Sequence, residues 1–173
     1  MDSMPHDEFI KSKEKQKKFE AMFVQWIGER ENVANVRKAN MEEDKRGIDF
    51  FVTNEDATTY TVQLKVDFWT DRTGNLPCEA ISQAYWHRNS VIGAEFSMAE
   101  VDFIFFLLVP SMKVLGYKFQ HFLRYAIEHY KDFKNFARPN SDENGNLIYT
   151  TLGALIPAKD VNHLLKVDEI IGG

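Results

Sequence analysis

The sequence predicts an α/β fold, a single-domain sandwich in which helices flank a mixed central β-sheet. Three observations predict it. A helical pattern over about residues 7–29 precedes two β-rich runs. An almost unbroken apolar run, Val101–Pro110, has the composition of a strand that is buried on both faces. Helical and strand patterns follow it in mixed order, which is typical of a mixed sheet covered by helices.

Length and composition favour one domain over residues 1–173. Hydrophobic residues make up 44% of the chain, which is enough for a sizeable core. No apolar run approaches roughly 18 residues, and the start is acidic and polar, so we expect neither a membrane partner nor a secretory signal. Cys78 is the single cysteine and cannot form an internal disulfide, which suits the predicted cytoplasmic location. The net charge of −5 argues mildly against a purely electrostatic nucleic-acid binder.

The predicted first helix buries a stripe of apolar residues at helical spacing, from Phe19 to Ile27. Glu20 lies at the flank of that stripe, at the border between the core and whatever the helix covers. The basic run Lys11–Lys18 is more typical of a solvated face than of a phosphate-binding patch.

A β-hairpin is predicted between Gly47 and Asp67. Its two β-rich runs, Ile48–Thr53 and Thr59–Val66, flank a turn at residues 54–57. Alternation of side chains places Gln63 and Lys65 on one face of the second strand, and the fold-back can bring Asp49 beside them. An acid, an amide oxygen and an ammonium group would then converge.

The remaining elements follow from composition and spacing. A strand over Leu76–Ser82 is expected beside the hairpin, with Glu79 and Ile81 on one face and Cys78 and Ala80 on the other. The other predicted elements are a short helix around 84–86, strands over Val101–Pro110 and Val114–Phe119, a helix over Gln120–Phe133, a turn at Asn140–Asn146, a hairpin or two short strands over Leu147–Ile156, and a last short helix over Pro157–Leu165.

Asp49, the hairpin, the run Gln63-Leu64-Lys65 and Glu20 on a preceding helix together resemble the PD-(D/E)XK nuclease superfamily. In this sequence Gln63 replaces the usual second acid, which gives a D…QxK variant. Thr73–Ser82 and Ser97–Pro110 resemble strands of small phage-type nucleases of that superfamily. The resemblance spans Glu20 to Phe119 and implies a restriction-endonuclease-like core with the order α-β-β-β-α-β.

The resemblance implies a metal-dependent nuclease, with DNA favoured over RNA as the substrate and Mg²⁺ or Mn²⁺ as the cofactor. Asp49, the Gln63 side-chain oxygen and the Leu64 backbone carbonyl would be metal ligands, since such ions prefer oxygen donors. Glu20 or Glu79 would supply the carboxylate that Gln63 lacks. Lys65 would stabilise the anionic transition state or orient the attacking water. Basic residues assigned to nucleic-acid contact are Arg88, Lys18 and Arg72.

Other interpretations stay open. Taken one by one, Gln63 and Lys65 fit the solvated face of an amphipathic strand, and Asp49 fits a strand-edge charge. The chain could be a catalytically inactive member of the same fold that binds nucleic acid or protein in a larger assembly, or a general protein-interaction domain. Asp44 and Asp67 suit loop positions, and Asp102 suits the start of a strand. An endonuclease that cuts both strands of a duplex would favour a homodimer.

Overall fold

The computed structural model describes residues 6–84, 91–92 and 101–164, with side chains described for 13–78 and 101–164. The described helices are α1 (His6–Gly28), α2 (Met41–Lys45), α3 (Thr70–Thr73) and α4 (Phe119–Glu128), with 3₁₀ turns at Tyr130–Asp132 and Ala158–Leu164. The described strands are β1 (Val33–Lys38), β2 (Phe50–Asn54), β3 (Thr59–Asp67), β4 (Asn75–Ala84), β5 (Val91–Ile92), β6 (Phe103–Leu108), β7 (Val114–Lys118), β8 (Lys134–Ser141) and β9 (Leu147–Pro157).

The first sheet has five strands in the order β1-β2-β3-β6-β7. Strands β1, β2 and β3 form an antiparallel meander, and β6 pairs in parallel with β3 before β7 returns antiparallel to it. The predicted hairpin is therefore confirmed as β2–β3. The apolar run at Val101–Pro110 is confirmed as the buried inner strand β6, and the sheet is mixed, as predicted.

The two faces of this sheet pack against different layers. Even-numbered residues of β3 such as Val62 and Leu64 pack against Phe23 and Ile27 of α1. Side chains on the opposite face, including Ile104 of β6, join a second core with α4 and with β4 and β9 of the other sheet. Burying such side chains is the dominant favourable term in folding, about 25 cal/mol per Å² of apolar surface removed from water.

A second, antiparallel sheet has the order β5-β4-β9-β8 among the described strands. It corrects two predictions. The strand containing Leu76–Ser82 does not lie beside the hairpin, because β4 pairs with β9 and the neighbour of β3 is β6. Leu147–Ile156 is neither a hairpin nor two short strands but one long strand, β9, whose partner β8 is a polar segment without a strand pattern.

Two of the predicted helices are confirmed with shifted ends, whereas the one predicted over Pro157–Leu165 is a 3₁₀ turn, Ala158–Leu164. The predicted first helix is confirmed as α1, and the one predicted over Gln120–Phe133 ends at Glu128 before a 3₁₀ turn. Ala84 belongs to β4, and the rest of the short helix predicted around 84–86 lies outside the described residues. No described helix is long and apolar enough to cross a membrane.

Candidate active site

The site begins where β3 extends beyond the end of its neighbour β2. The ladder between them pairs residues 59–62 of β3, from Thr59 opposite Thr53 to Val62 opposite Phe50. On its other side, β3 pairs with β6 from Val62 to Asp67. Residues 63–67 are therefore held by β6 alone, so the edge that faces away from β6 is left without a strand partner from β2.

Asp49 closes the end of the β2–β3 ladder. Its backbone N–H donates to the Val62 carbonyl at 2.8 Å, and its own carbonyl accepts from the Ala39 N–H at 2.8 Å. Its carboxylate oxygen Oδ2 accepts a 2.7 Å hydrogen bond from the backbone N–H of Leu64. The side chain thus takes the place of a backbone partner at the first free position of β3, which fixes the carboxylate at the open edge.

Gln63 and Lys65 lie on the face of the sheet opposite α1. Their parallel partners in β6 are Ile104 and Phe106, which belong to the core on that face. Gln63 is only 6% exposed, and its Oε1 atom has no hydrogen-bond partner among the described residues. A buried amide oxygen without a partner costs free energy unless a water molecule or an ion binds it, so the Gln63 oxygen is available as a ligand.

Glu20 approaches Asp49 from the α1 side. Both line an open cleft of about 280 Å³ together with Lys38 at the end of β1 and Asp44 of α2. The Lys38 ammonium lies 4.0 Å from Oε2 of Glu20, at the edge of ion-pair distance. Gln63 and Lys65 are not among the lining residues, so Asp49 is the residue that connects the cleft to the open edge of β3.

The electrostatics of the cleft raise the pKa of Asp49 to about 6. Burial of the carboxyl is the main cause, and the negative charges of Asp44 and Glu20 add to it. The hydrogen bond from Leu64 and the positive charge of Lys65 oppose the rise. Asp49 therefore interacts with both Glu20 and Lys65, two groups that the sequence predicted around it.

The oxygen donors suit a hard divalent cation. Asp49 supplies a carboxylate, Gln63 an unpartnered amide oxygen, and the neighbouring Leu64 a backbone carbonyl, which are the donor types that Mg²⁺ and Mn²⁺ accept. The described residues contain no group of three or more His, Cys, Asp or Glu side chains arranged to hold a metal. A metal site here would need the neutral oxygens of Gln63 and Leu64 as ligands beside the Asp49 carboxylate. The resemblance implies that ligand role for Gln63.

Other acids near the motif have structural partners. Asp102 precedes β6, and its carboxylate accepts from the N–H and the hydroxyl of Thr61, which ties the start of β6 to β3. Asp67 is buried and accepts from the N–H groups of Trp69 and Thr70. Asp102 is thus a strand-start residue, as predicted, whereas Asp67 is the last residue of β3 rather than a loop acid.

The remaining predicted site residues lie apart from this cleft or outside the description. The backbone of Glu79 pairs with Gly153 in the second sheet, so its position beside the hairpin was wrong, and its side chain is outside the described ones. Arg88 lies outside the described residues. Lys18 is exposed on α1, and Arg72 is exposed on α3 with its guanidinium carbon 4.7 Å from the Trp69 ring centre.

Two polar residues that line the cleft, Lys38 and Asn40, were missed by the sequence analysis. Asn40 caps α2: its side-chain oxygen accepts from the N–H groups of Glu42 and Glu43, and Glu43 accepts from the Asn40 N–H in return. The sequence Asn-x-x-Glu carries that capping-box signal, which could have identified the short helix that bears Asp44. No comparable signal marks Lys38, because its place depends on the pairing of β1 with β2.

In comparisons with known proteins, no protein-family model matches the chain, and no curated protein or solved structure matches it significantly.

Proposed function

We propose that this protein is a metal-dependent nuclease that hydrolyses phosphodiester bonds, with DNA as the favoured substrate and Mg²⁺ or Mn²⁺ as the cofactor. The observation that carries the proposal is the meeting of Asp49 with the Gln63–Lys65 segment at the open edge of β3. There the Asp49 carboxylate bonds to the backbone of Leu64, and Gln63 holds an amide oxygen without a partner among the described residues. In this proposal the protein acts in the cytoplasm.

The fold supports the proposal through the order of its elements. A long helix, an antiparallel three-stranded meander and a strand parallel to the third follow one another as α1, β1–β3 and β6. The leading helix, the meander and the parallel strand are shared with the α-β-β-β-α-β core that the resemblance implies, whereas the described chain between β3 and β6 holds the one-turn helix α3 and strands β4 and β5 where that core has its second helix. The second sheet, which contributes β4 and β5 between β3 and β6, is an addition to that core.

Each residue has a defined role in the proposal. A bound divalent ion would lower the pKa of a water molecule and neutralise charge on the phosphoryl oxygens. Asp49 would hold the ion with the oxygens of Gln63 and Leu64, and Glu20 would add charge from across the cleft. Lys65 would place its ammonium group against the phosphoryl oxygens, where negative charge develops.

Cleavage assays test this proposal. Linear duplex and single-stranded DNA are incubated with the protein in Mg²⁺, Mn²⁺ or EDTA. We expect metal-dependent products that Asp49→Ala and Lys65→Ala each reduce at least a hundredfold, since removing one charge-stabilising group costs about 10²–10³ in rate. The matched control is Lys113→Ala, an exposed lysine before β7. Intact DNA in both metals, from protein with a cooperative thermal transition, would contradict the proposal.

One observation favours a second function, a catalytically inactive member of the same fold that binds nucleic acid or protein. With Gln63 in place of an acid, the described residues hold no cluster of three acidic, histidine or cysteine ligands. In that case Gln63→Glu would leave the protein inactive, and Mn²⁺ titration would produce no heat of binding.

A further inference from the structure

Trp69 is a large aromatic residue held at the surface by a rigid turn. It is 60% exposed, and it lies two residues after the end of β3. The buried carboxylate of Asp67 accepts hydrogen bonds from the N–H groups of Trp69, at 2.7 Å, and of Thr70, at 2.6 Å. The Thr70 hydroxyl in turn donates to the Asn75 carbonyl at 2.7 Å. The backbone that carries this indole ring is therefore fixed by a buried acid, although the ring itself faces solvent.

Positively charged groups accompany the aromatic rings at this end of β3. The Arg72 guanidinium lies 4.7 Å from the Trp69 ring centre, and the Lys15 ammonium lies 4.9 Å from that of Phe68. Phe68 also contacts Phe19 of α1 edge to face, with ring centres 5.7 Å apart. Because cations prefer the face of an aromatic ring, these contacts hold both charges beside apolar surface.

The surface of α1 that contacts Phe68 is basic in a protein that is acidic overall. Over residues 13–18 the exposed helix carries Lys13, Lys15, Lys17 and Lys18 against the single acid Glu14. The whole chain has a net charge of −5. The lysines of α1, which reach Phe68 through Lys15, and the exposed Trp69 ring with Arg72 supply the two features that a nucleic-acid strand requires, positive charge and a stacking surface.

We propose that Phe68, Trp69, Arg72 and Lys15, here called the Trp69 surface, bind single-stranded DNA, with one base stacked on the face of the Trp69 ring that Arg72 does not cover and with Arg72 and Lys15 near the flanking phosphates. The choice of DNA rests on the proposed nuclease function. Stacking requires the face of an unpaired base, which a duplex keeps within its own stack, so the surface selects a single strand.

The Trp69 surface follows the strand that carries Lys65, since Trp69 lies two residues beyond the end of β3. Lys65 and Trp69 are four residues apart, so they are separated by at most about 13 Å at about 3.3 Å per residue, because the chain turns into α3 at Trp69. A strand stacked on Trp69 would thus reach Lys65 without leaving this edge of the protein. A single-stranded substrate needs one cut, so this arrangement does not require the homodimer that a double-strand cut would favour.

The test measures binding of the full-length protein to fluorescein-labelled oligothymidine by fluorescence anisotropy in EDTA, where no metal-dependent cleavage takes place. We expect Trp69→Ala to weaken binding about tenfold, as loss of one base-stacking contact does, and Trp69→Phe to restore most of it. Arg72→Ala should reduce the salt dependence of binding, because one phosphate contact is lost. The control is Ile127→Ala, an exposed apolar residue on α4.

Three outcomes would overturn the Trp69 surface: no binding of oligothymidine by the folded protein, equal binding by Trp69→Ala and wild type, or an equal loss of duplex binding in Trp69→Ala. A further result separates the two proposals. Binding that depends on Trp69, without any cleavage in Mg²⁺ or Mn²⁺, would support the surface and contradict the nuclease. Cleavage of single-stranded DNA at a rate and KM unchanged by Trp69→Ala would support the nuclease and contradict the surface.

Discussion

The carboxylate of Asp49 accepts a 2.7 Å hydrogen bond from the backbone N–H of Leu64. This contact takes the place of the partner that β2 would supply if its ladder with β3 continued past Val62. It holds an acid at the junction between an open strand edge, which carries Lys65, and a cleft that contains Glu20. The first predictions follow from the environment that this contact creates.

Asp49→Asn should stabilise the protein at neutral pH and not in acid. Asp49 has a pKa of about 6 in the folded protein, against the ordinary value of 3.8 in the unfolded chain. Below pH 3.8 Asp49 is protonated in both the folded and the unfolded state, so its ionisation does not change the free energy of unfolding. Between the two values the unfolded chain releases its proton first, so rising pH destabilises the fold, and above a pH of about 6 the penalty is complete.

Urea denaturation of wild type and Asp49→Asn measures this effect. We expect Asp49→Asn to be more stable by about 2–3 kcal/mol near pH 7.5 and nearly equal near pH 3.5, since one pKa unit corresponds to about 1.4 kcal/mol. The amide of the Asp49→Asn variant would keep an oxygen that can accept from the Leu64 N–H. The control is Glu128→Gln at an exposed position of α4. A difference that is independent of pH would contradict the raised pKa.

Gln63→Met should stabilise the fold while it weakens metal binding. Methionine has a similar volume and removes the buried Oε1 atom that has no partner among the described residues. We expect the free energy of unfolding to rise by about 1 kcal/mol, because an unpaired buried polar group carries a desolvation penalty of that order. Calorimetric titration with Mn²⁺ should show a lower metal affinity for Gln63→Met than for wild type. Gln16→Met on the exposed face of α1 is the control, and a destabilised Gln63→Met protein with unchanged metal affinity would contradict a ligand role.

Asn40→Ala should loosen the helix that brings Asp44 to the cleft. The Asn40 side chain caps the N-terminus of α2 through the N–H groups of Glu42 and Glu43. Loss of an N-cap side chain costs about 1 kcal/mol, whereas Asn40→Ser retains a capping oxygen and should cost much less. Thermal denaturation of the two variants checks the difference, and equal melting temperatures would show that the cap does not stabilise α2.

Gly153→Ala should destabilise the second sheet. A Cβ atom at Gly153 would collide with the Cys78 carbonyl of the paired strand β4 and would lie 2.7 Å from the Phe136 ring. Because the carbonyl is part of a strand ladder and cannot move away cheaply, we expect a loss of about 2 kcal/mol or more in the free energy of unfolding. Gly28→Ala is the control, since its Cβ would meet only the Val36 side chain at 3.8 Å. Equal stability of the two variants would contradict the close approach of β4 and β9.

Sequence reasoning found the elements whose patterns are local. The hairpin strands alternate in polarity, β6 is almost wholly apolar, and the spacing of Phe19 and Phe23 indicates α1, so each of these elements was confirmed. The second sheet was missed because β8 is a polar strand with little buried surface. Residues 134–141 form a strand because they pair with β9, and the β-propensity of the residues themselves does not predict that pairing.

The candidate site was predictable in part for the same reason. Adjacency of Asp49 to the Gln63–Lys65 segment follows from a hairpin, which is a local structure. The place of Glu79 required the order of strands in space, and the sequence supplied no signal that β4 joins another sheet. Lys38 lines the cleft because β1 pairs with β2, and this pairing could not be predicted from local sequence patterns either.

The proposed metal site is tested by a crystal of the protein soaked in Mn²⁺, with the ion located by its anomalous scattering. We expect an anomalous peak within about 2.3 Å of an Asp49 carboxylate oxygen and of Gln63 Oε1, with the Leu64 carbonyl or Glu20 completing the protein ligands. A soaked crystal that diffracts well and shows no peak at Asp49, or a peak bound by other residues alone, would contradict the proposed site.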